Sequence, residues 1–106
     1  MNIYIMTTKA KDNVMQFLKA MVNKHPDGAI IRLYTADALK EYCKWSSENN
    51  ITVNLTTETF NENDMNAVRF GSIIRCLKIK GITTAHKRKA NVKVFNIEEM
   101  KDHFKN

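Results

Sequence analysis

One stretch of this chain lacks acid altogether. Residues 65–97 hold no Asp or Glu and eight basic residues: Arg69, Arg75, Lys78, Lys80, Lys87, Arg88, Lys89 and Lys93. Glycine (3), cysteine (2) and proline (1) are scarce as well. No Gly-rich phosphate loop, Gly-x-Ser-x-Gly elbow or His-Glu-x-x-His zinc motif is present, so no enzyme class announces itself. Cys43 and Cys76 cannot build a disulfide framework and read as buried free thiols on helices. His25, His86 and His103 are isolated, and no Cys/His spacing suits zinc. No apolar run approaches the roughly 20 residues that cross a bilayer. The first eight residues lack the basic n-region of a signal peptide. These absences predict a cytoplasmic protein of a bacterial host cell's interior, with no membrane contact, no cofactor, no metal and no enzymatic activity.

What is present is an ordinary globular composition. The chain has 106 residues, 43% hydrophobic and 26% charged, which suits one domain over 1–106. Its net charge of +6 is segregated, because all 11 Asp and Glu lie outside the acid-free block. A segregated positive field attracts a polyanion, and nucleic acid has the most regular charge spacing. The competing reading is a solvated surface that happens to be basic. Richness in Asn and Lys points to an AT-rich genome, such as that of a phage or a low-GC bacterium.

Periodicity predicts the elements. Val14, Phe17, Leu18, Met21 and Val22 repeat as a helix over 11–24, and His25, Pro26, Asp27 and Gly28 stop it. The apolar run 29–33 predicts a short strand. Thr35 reads as the N-cap of a helix over 35–48, with Asp37 near its positive end. Ala38, Leu39, Tyr42, Trp45 and Ser46 form its inner face, so Tyr42 and Trp45 read as core rather than as base-stacking residues. Ile51, Val53 and Leu55 alternate like a strand, while 56–60 suits a helical turn. A helix is predicted over 63–79, with Asp64 at its start, a stripe of Phe70, Ile73, Ile74 and Leu77 that Val68 extends, and Gly81 as its stop. Two β-prone runs around a basic tip predict a hairpin over 82–97. Asn96 then caps a last helix over 97–104, docked by Met100 and Phe104. Residues 1–8 read as an arm or a short strand.

The order helix, strand, helix, helix, hairpin is that of an α+β winged helix-turn-helix. Such a protein would set the helix 63–79 in the major groove of double-stranded DNA. Asn66, Arg69, Ser72 and Arg75 recur largely off the apolar stripe. Asn66 would read adenine, Arg69 and Arg75 guanine or phosphate, and Ser72 a phosphate. Lys78, Thr83, Thr84, His86, Lys87, Arg88, Lys89 and Lys93 complete the candidate set, with the hairpin tip on the DNA backbone. Glu58, Glu62 and Asp64 could in principle hold a metal, but read as an exposed acidic loop.

Residues 38–97 resemble the winged-helix domain at the C-terminal end of phage and poxvirus-type helicase-primases and related phage proteins. The resemblance rests on Tyr42, Trp45 and Asn49, on Phe70, Gly71 and Ile74, on Gly81 with Ile82, and on the basic Lys87, Arg88 and Lys89. It implies a DNA-binding domain that positions a replication or regulatory complex. The segment between Asn50 and Phe70 is longer than in that family, and Phe70 stands about one turn further from Gly81. No ATPase or primase domain accompanies it, so the family's enzymatic activity is not implied.

Two other readings stand beside a phage or mobile-element transcription regulator. The basic face could instead meet an acidic host protein. An α/β protein could arise from strands 2–7, 29–33, 51–56 and 92–97 alternating with helices in a parallel sheet. A homodimer on two half-sites also stays open, although no coiled-coil heptad argues for it.

Overall fold

His25, Pro26, Asp27 and Gly28 end the first apolar period, and the chain turns there, with Gly28 at φ 73°. The computed structural model describes residues 3–87 and 90–105, and of residues 3–8 the backbone alone. Helix α1 (Ile3–Lys24) precedes the turn; strand β1 (Ile30–Tyr34) and helix α2 (Thr35–Glu48) follow it. The segment 49–66 carries β2 (Asn54–Leu55) and β3 (Asp64–Met65), a short parallel pair. Then come α3 (Ala67–Leu77), β4 (Ile82–Lys87), β5 (Ala90–Asn96) and α4 (Ile97–Lys105).

The three-stranded antiparallel sheet has the order β1-β5-β4. Strand β5 is central: Lys93 pairs with Leu33 on one side and Thr84 on the other. The described residues thus form a compact α+β fold with four helices, and the Cα radius of gyration is 13.5 Å. No described helix is long and apolar enough to cross a membrane.

The helices meet on aromatic rings. Phe17 of α1 lies edge-on to Tyr42 of α2, with centroids 5.4 Å apart. Tyr42 meets Phe70 of α3 at 5.3 Å and Trp45 at 6.2 Å. Each such pair adds about 0.5–1.5 kcal/mol beyond its buried area. Phe70 is fully buried. Its burial fixes the rotation of α3, because a two-residue step turns a helix by about 200°. Val68 and Ser72 must therefore face away from the core.

Two junctions position the hairpin. Gly81 has φ 96°. A Cβ there would stand 2.8 Å from the Asn96 carbonyl oxygen and 2.9 Å from the Met100 nitrogen. That oxygen and nitrogen are backbone and cannot yield as a flexible side chain would. Asn96 donates its backbone N–H to the Gly81 carbonyl at 2.8 Å. Its side-chain oxygen accepts from the Glu99 N–H at 3.2 Å, the predicted cap of α4.

Several expectations are corrected. Residues 3–10 continue α1 and are neither strand nor arm. Residues 56–60 form no helix, and only Asn54 and Leu55 of the alternating run pair as a strand. Helix α3 starts at Ala67 rather than 63 and stops at Leu77, where Lys78 takes the left-handed C-cap at φ 51°. Gly81 serves the turn into β4 instead. Thr35 is the first residue of α2, not its cap; its hydroxyl reaches the Asn91 carbonyl at 3.3 Å. The parallel α/β arrangement is excluded, since residues 82–87 pair antiparallel with 90–95. Cys43 is half-buried and Cys76 exposed, so the second thiol is not a core group.

Candidate functional site

Helix α3 presents its outer face to the hairpin across a groove of about 660 Å³. Ala67, Val68, Gly71, Ser72 and Arg75 form one wall. Thr84, His86, Ala90, Asn91 and Lys93 form the opposite wall, and the junction of β1 with α2, residues 34–37, closes one end. Alternation along β4 explains the choice of hairpin residues: Thr84 and His86 face the groove, while Thr83 and Lys87 have the opposite parity. Gly71 holds the α3 wall close to its neighbours. A Cβ there would already touch the Thr35 methyl group at 3.5 Å.

Lys93 forms the floor. It shares its strand face with Phe95, and is only 4% exposed. Its ammonium donates to the Thr84 hydroxyl at 2.8 Å. No carboxylate lies within salt-bridge distance of it among the described residues. Burial pushes its pKa below the ordinary lysine value, and the positive charge of Arg75 pushes it further down. Arg75 itself leans on the Ser72 hydroxyl at 3.4 Å. Among the described residues the one carboxylate on the groove wall, Asp37, has Lys40 at 3.9 Å. Helix α2 begins without a side-chain cap, so its first N–H groups add positive potential at the end of the groove. This arrangement can neutralise an anion; it offers buried positive charge, hydroxyl groups and an apolar side chain.

The structure brings together Ser72, Arg75, Thr84, His86 and Lys93 from the predicted set. It assigns Asn66 and Arg69 to another task. The Asn66 side-chain oxygen accepts from the Arg69 N–H at 2.9 Å as the N-cap of α3, and its amide donates to the Thr56 and Thr57 carbonyls, each at 3.2 Å. Adenine reading by this amide is thereby displaced, because both of its ends are already bonded. The Arg69 guanidinium bonds the carbonyls of Asn61 and Asp64. Lys78 is exposed at the helix C-cap, outside the groove lining, and Thr83 lies on the other strand face. Lys87 is exposed at the end of β4. Arg88 and Lys89 lie outside the described residues. Lys80 is paired with Asp102 at 2.9 Å, which raises its pKa and lowers that of Asp102.

The predicted acidic loop is also corrected. Asp64 is buried and accepts from Asn54 at 2.9 Å and from the backbone N–H groups of Phe60 and Asn61 at 3.0 and 2.9 Å. These bonds, the Asn54 bond foremost, hold its carboxyl below the usual range. Glu62 pairs with Lys9 of α1 at 3.0 Å. Among the described residues no three His, Cys, Asp or Glu side chains gather as metal ligands.

Sequence reasoning missed Val68 and the start of α2. The signal for Val68 was available: two residues from Phe70, it sits nearly opposite the apolar stripe. A separate cavity of about 320 Å³ lies between α1, β1 and α2, lined by Phe17, Met21, Ile31, Leu33 and Trp45 among others. Lys24, Lys44, Glu41 and Glu48 also line it, so it has no dominant charge sign to select an ion. Comparison with family models, with curated proteins and with solved structures returns no match.

Proposed function

We propose that this protein binds double-stranded DNA as a winged helix-turn-helix, with α3 in the major groove and the β4–β5 hairpin as a wing on the backbone. The observation that carries the reading is Lys93: a buried ammonium without a carboxylate partner among the described residues, at the floor of a groove it shares with Arg75. Burying an ammonium costs several kcal/mol unless a counter-charge accompanies it. A phosphate entering the groove is that counter-charge. The strand order β1-β5-β4, with α3 leading directly into the hairpin, suits the winged arrangement and accords with the resemblance to phage and poxvirus-type domains. In this reading the protein acts by binding, as a small regulator of phage or mobile-element type working in a host cytoplasm.

Salt-titrated fluorescence anisotropy against duplex DNA, single-stranded DNA and RNA tests the proposal. Duplex affinity should fall steeply with salt, and Lys93→Met should weaken it. Duplex affinity independent of salt and of Lys93 would sink the idea.

A second reading draws on the insertion 49–66. Leu55 and Phe60 there are 60% and 68% exposed, as a protein-contacting surface would be. The groove would then receive an acidic segment of a host protein. A stoichiometric partner that survives nuclease treatment and is lost on Leu55→Ser with Phe60→Ser would favour it.

A further inference from the structure

Among the described residues Val68 is the most exposed of the large apolar side chains, at 80%. It lies in the first turn of α3 and faces the groove, with Ser72 one turn further along the same face and Arg75 beyond it. A β-branched residue gains little from such a position: it is a middling helix former and here buries almost nothing. Neither packing nor propensity accounts for its exposed place on the wall that carries Ser72 and Arg75.

The major groove has one apolar landmark, the 5-methyl group of thymine, and side-chain methyl groups recognise it by contact. Resting on the DNA reading above, we infer that Val68 is a specificity-determining residue that packs its methyl groups against a thymine 5-methyl group. Arg75, two turns along, contacts the flanking backbone or a guanine edge on the same strand face. Lys93 and Thr84 hold a phosphate at the groove floor. Lys93 and Thr84 supply affinity without sequence information, whereas Val68 asks for a methyl group at one position. The contact also separates DNA from RNA. RNA carries uracil, and its deep, narrow major groove does not admit side chains.

The test removes the methyl group from the DNA. A preferred duplex is first selected from a randomised pool with the intact protein. Each thymine is then replaced singly by deoxyuridine, which deletes one methyl group and leaves every hydrogen-bonding group in place. At one position affinity should fall about fourfold, the loss expected for one buried methyl group. In Val68→Ser that difference should vanish, while the salt slope stays unchanged. Circular dichroism and melting verify that this variant folds, and the deoxyuridine comparison in the intact protein needs no variant at all. Tight, salt-dependent binding with equal affinity for thymine and deoxyuridine at every position would overturn the role of Val68 and leave the groove reading standing. So would a thymine preference that persists in Val68→Ser. Failure to bind any duplex would overturn both.

Discussion

The Lys93 ammonium stands 2.8 Å from the Thr84 hydroxyl, across the β4–β5 ladder, and finds no carboxylate among the described residues. This one pairing connects stability to the proposed function. The hairpin register delivers Lys93 to β5, the strand on which α2 packs, and its long side chain stays buried, with its ε-carbon 3.9 Å from where a Cβ on Gly71 of α3 would stand. The protein keeps a charge where the core would be better served by an apolar residue of similar length.

Lys93→Met should therefore stabilise the free protein. The folded pKa of Lys93 is lowered from its ordinary value of 10.5, by burial first and by Arg75 second. The folded chain thus holds this proton less tightly than the unfolded chain does. Protonated Lys93 opposes folding at neutral pH, and the opposition fades as pH rises through the lowered pKa toward 10.5. Removing the amine should raise Tm near neutral pH, by about 4–8 °C for each kcal/mol relieved. The gain over the intact protein should shrink as pH rises. The same substitution should cost about tenfold in duplex affinity, the scale of one charge-assisted hydrogen bond. Thermal melts and anisotropy on one preparation check both signs; a lower Tm near neutral pH would show that the ammonium is not an uncompensated charge.

Asn66→Ala should lower stability and leave sequence discrimination intact. The cap bond to the Arg69 N–H is worth about 1 kcal/mol. The Thr56 and Thr57 carbonyls would lose their partner as well. Asn66→Asp keeps the capping oxygen and loses the two donors, so it should fall between the alanine variant and the intact protein. Binding selections on the folded variants should return the same preferred duplex. A change confined to one adenine would restore Asn66 as a base reader.

Local pattern made much of this fold legible. The helices near 11–24 and 35–48, the basic hairpin, the Asn96 cap and the inward placement of Tyr42 and Trp45 all follow from signals within a few residues. Asn66 and Arg69 were misplaced because their partners lie elsewhere. Spacing of three set both off the apolar stripe, yet the segment 49–66 folds over the start of α3 and consumes their polar groups through bonds to residues 56, 57, 61 and 64. No periodicity encodes a loop's return path. Lys93 was partly legible: period two set it on the face of Phe95, but only the packing of helices α2 and α4 against β5 makes that face buried. Val68 was read as apolar and hence as inner, although the helical step from Phe70 turns it outward.

Asp64 should make the segment 49–66 the acid-labile part of the molecule. Its carboxyl is held below the ordinary value of 3.8 by Asn54 and by the N–H groups of Asn61 and Phe60. A carboxyl with a lowered folded pKa contributes stability that is fully present above the unfolded value and is lost as pH falls through the folded one. The loss should begin below about pH 4 and be absent at neutral pH. Asp64→Asn should flatten this acid dependence and lower stability at neutral pH, because an amide accepts the N–H bonds less strongly than a carboxylate. Melts between acidic and neutral pH for both proteins give the comparison. Parallel acid profiles would remove Asp64 as the cause.

The hairpin tip should set affinity without setting sequence. Lys87 is exposed at the end of β4 and continues into Arg88 and Lys89. Phosphate contacts release counterions, and each neutralised phosphate contributes about 0.9 to the slope of log affinity against log salt. Replacing Lys87, Arg88 and Lys89 by alanine should weaken binding to every duplex alike and reduce the slope by up to about 2.7. The preferred sequence should not change, because cations on the backbone position the protein and carry no base information. Stability should barely move, since Lys87 is exposed and substitutions at exposed positions stay within about 0.5 kcal/mol. The Lys93→Met variant offers the contrast: its slope should fall by only about one phosphate's share, while its Tm rises. A triple variant that binds with an unchanged slope would mean that the tip does not touch the nucleic acid, and that the positive charge acts at the groove floor alone.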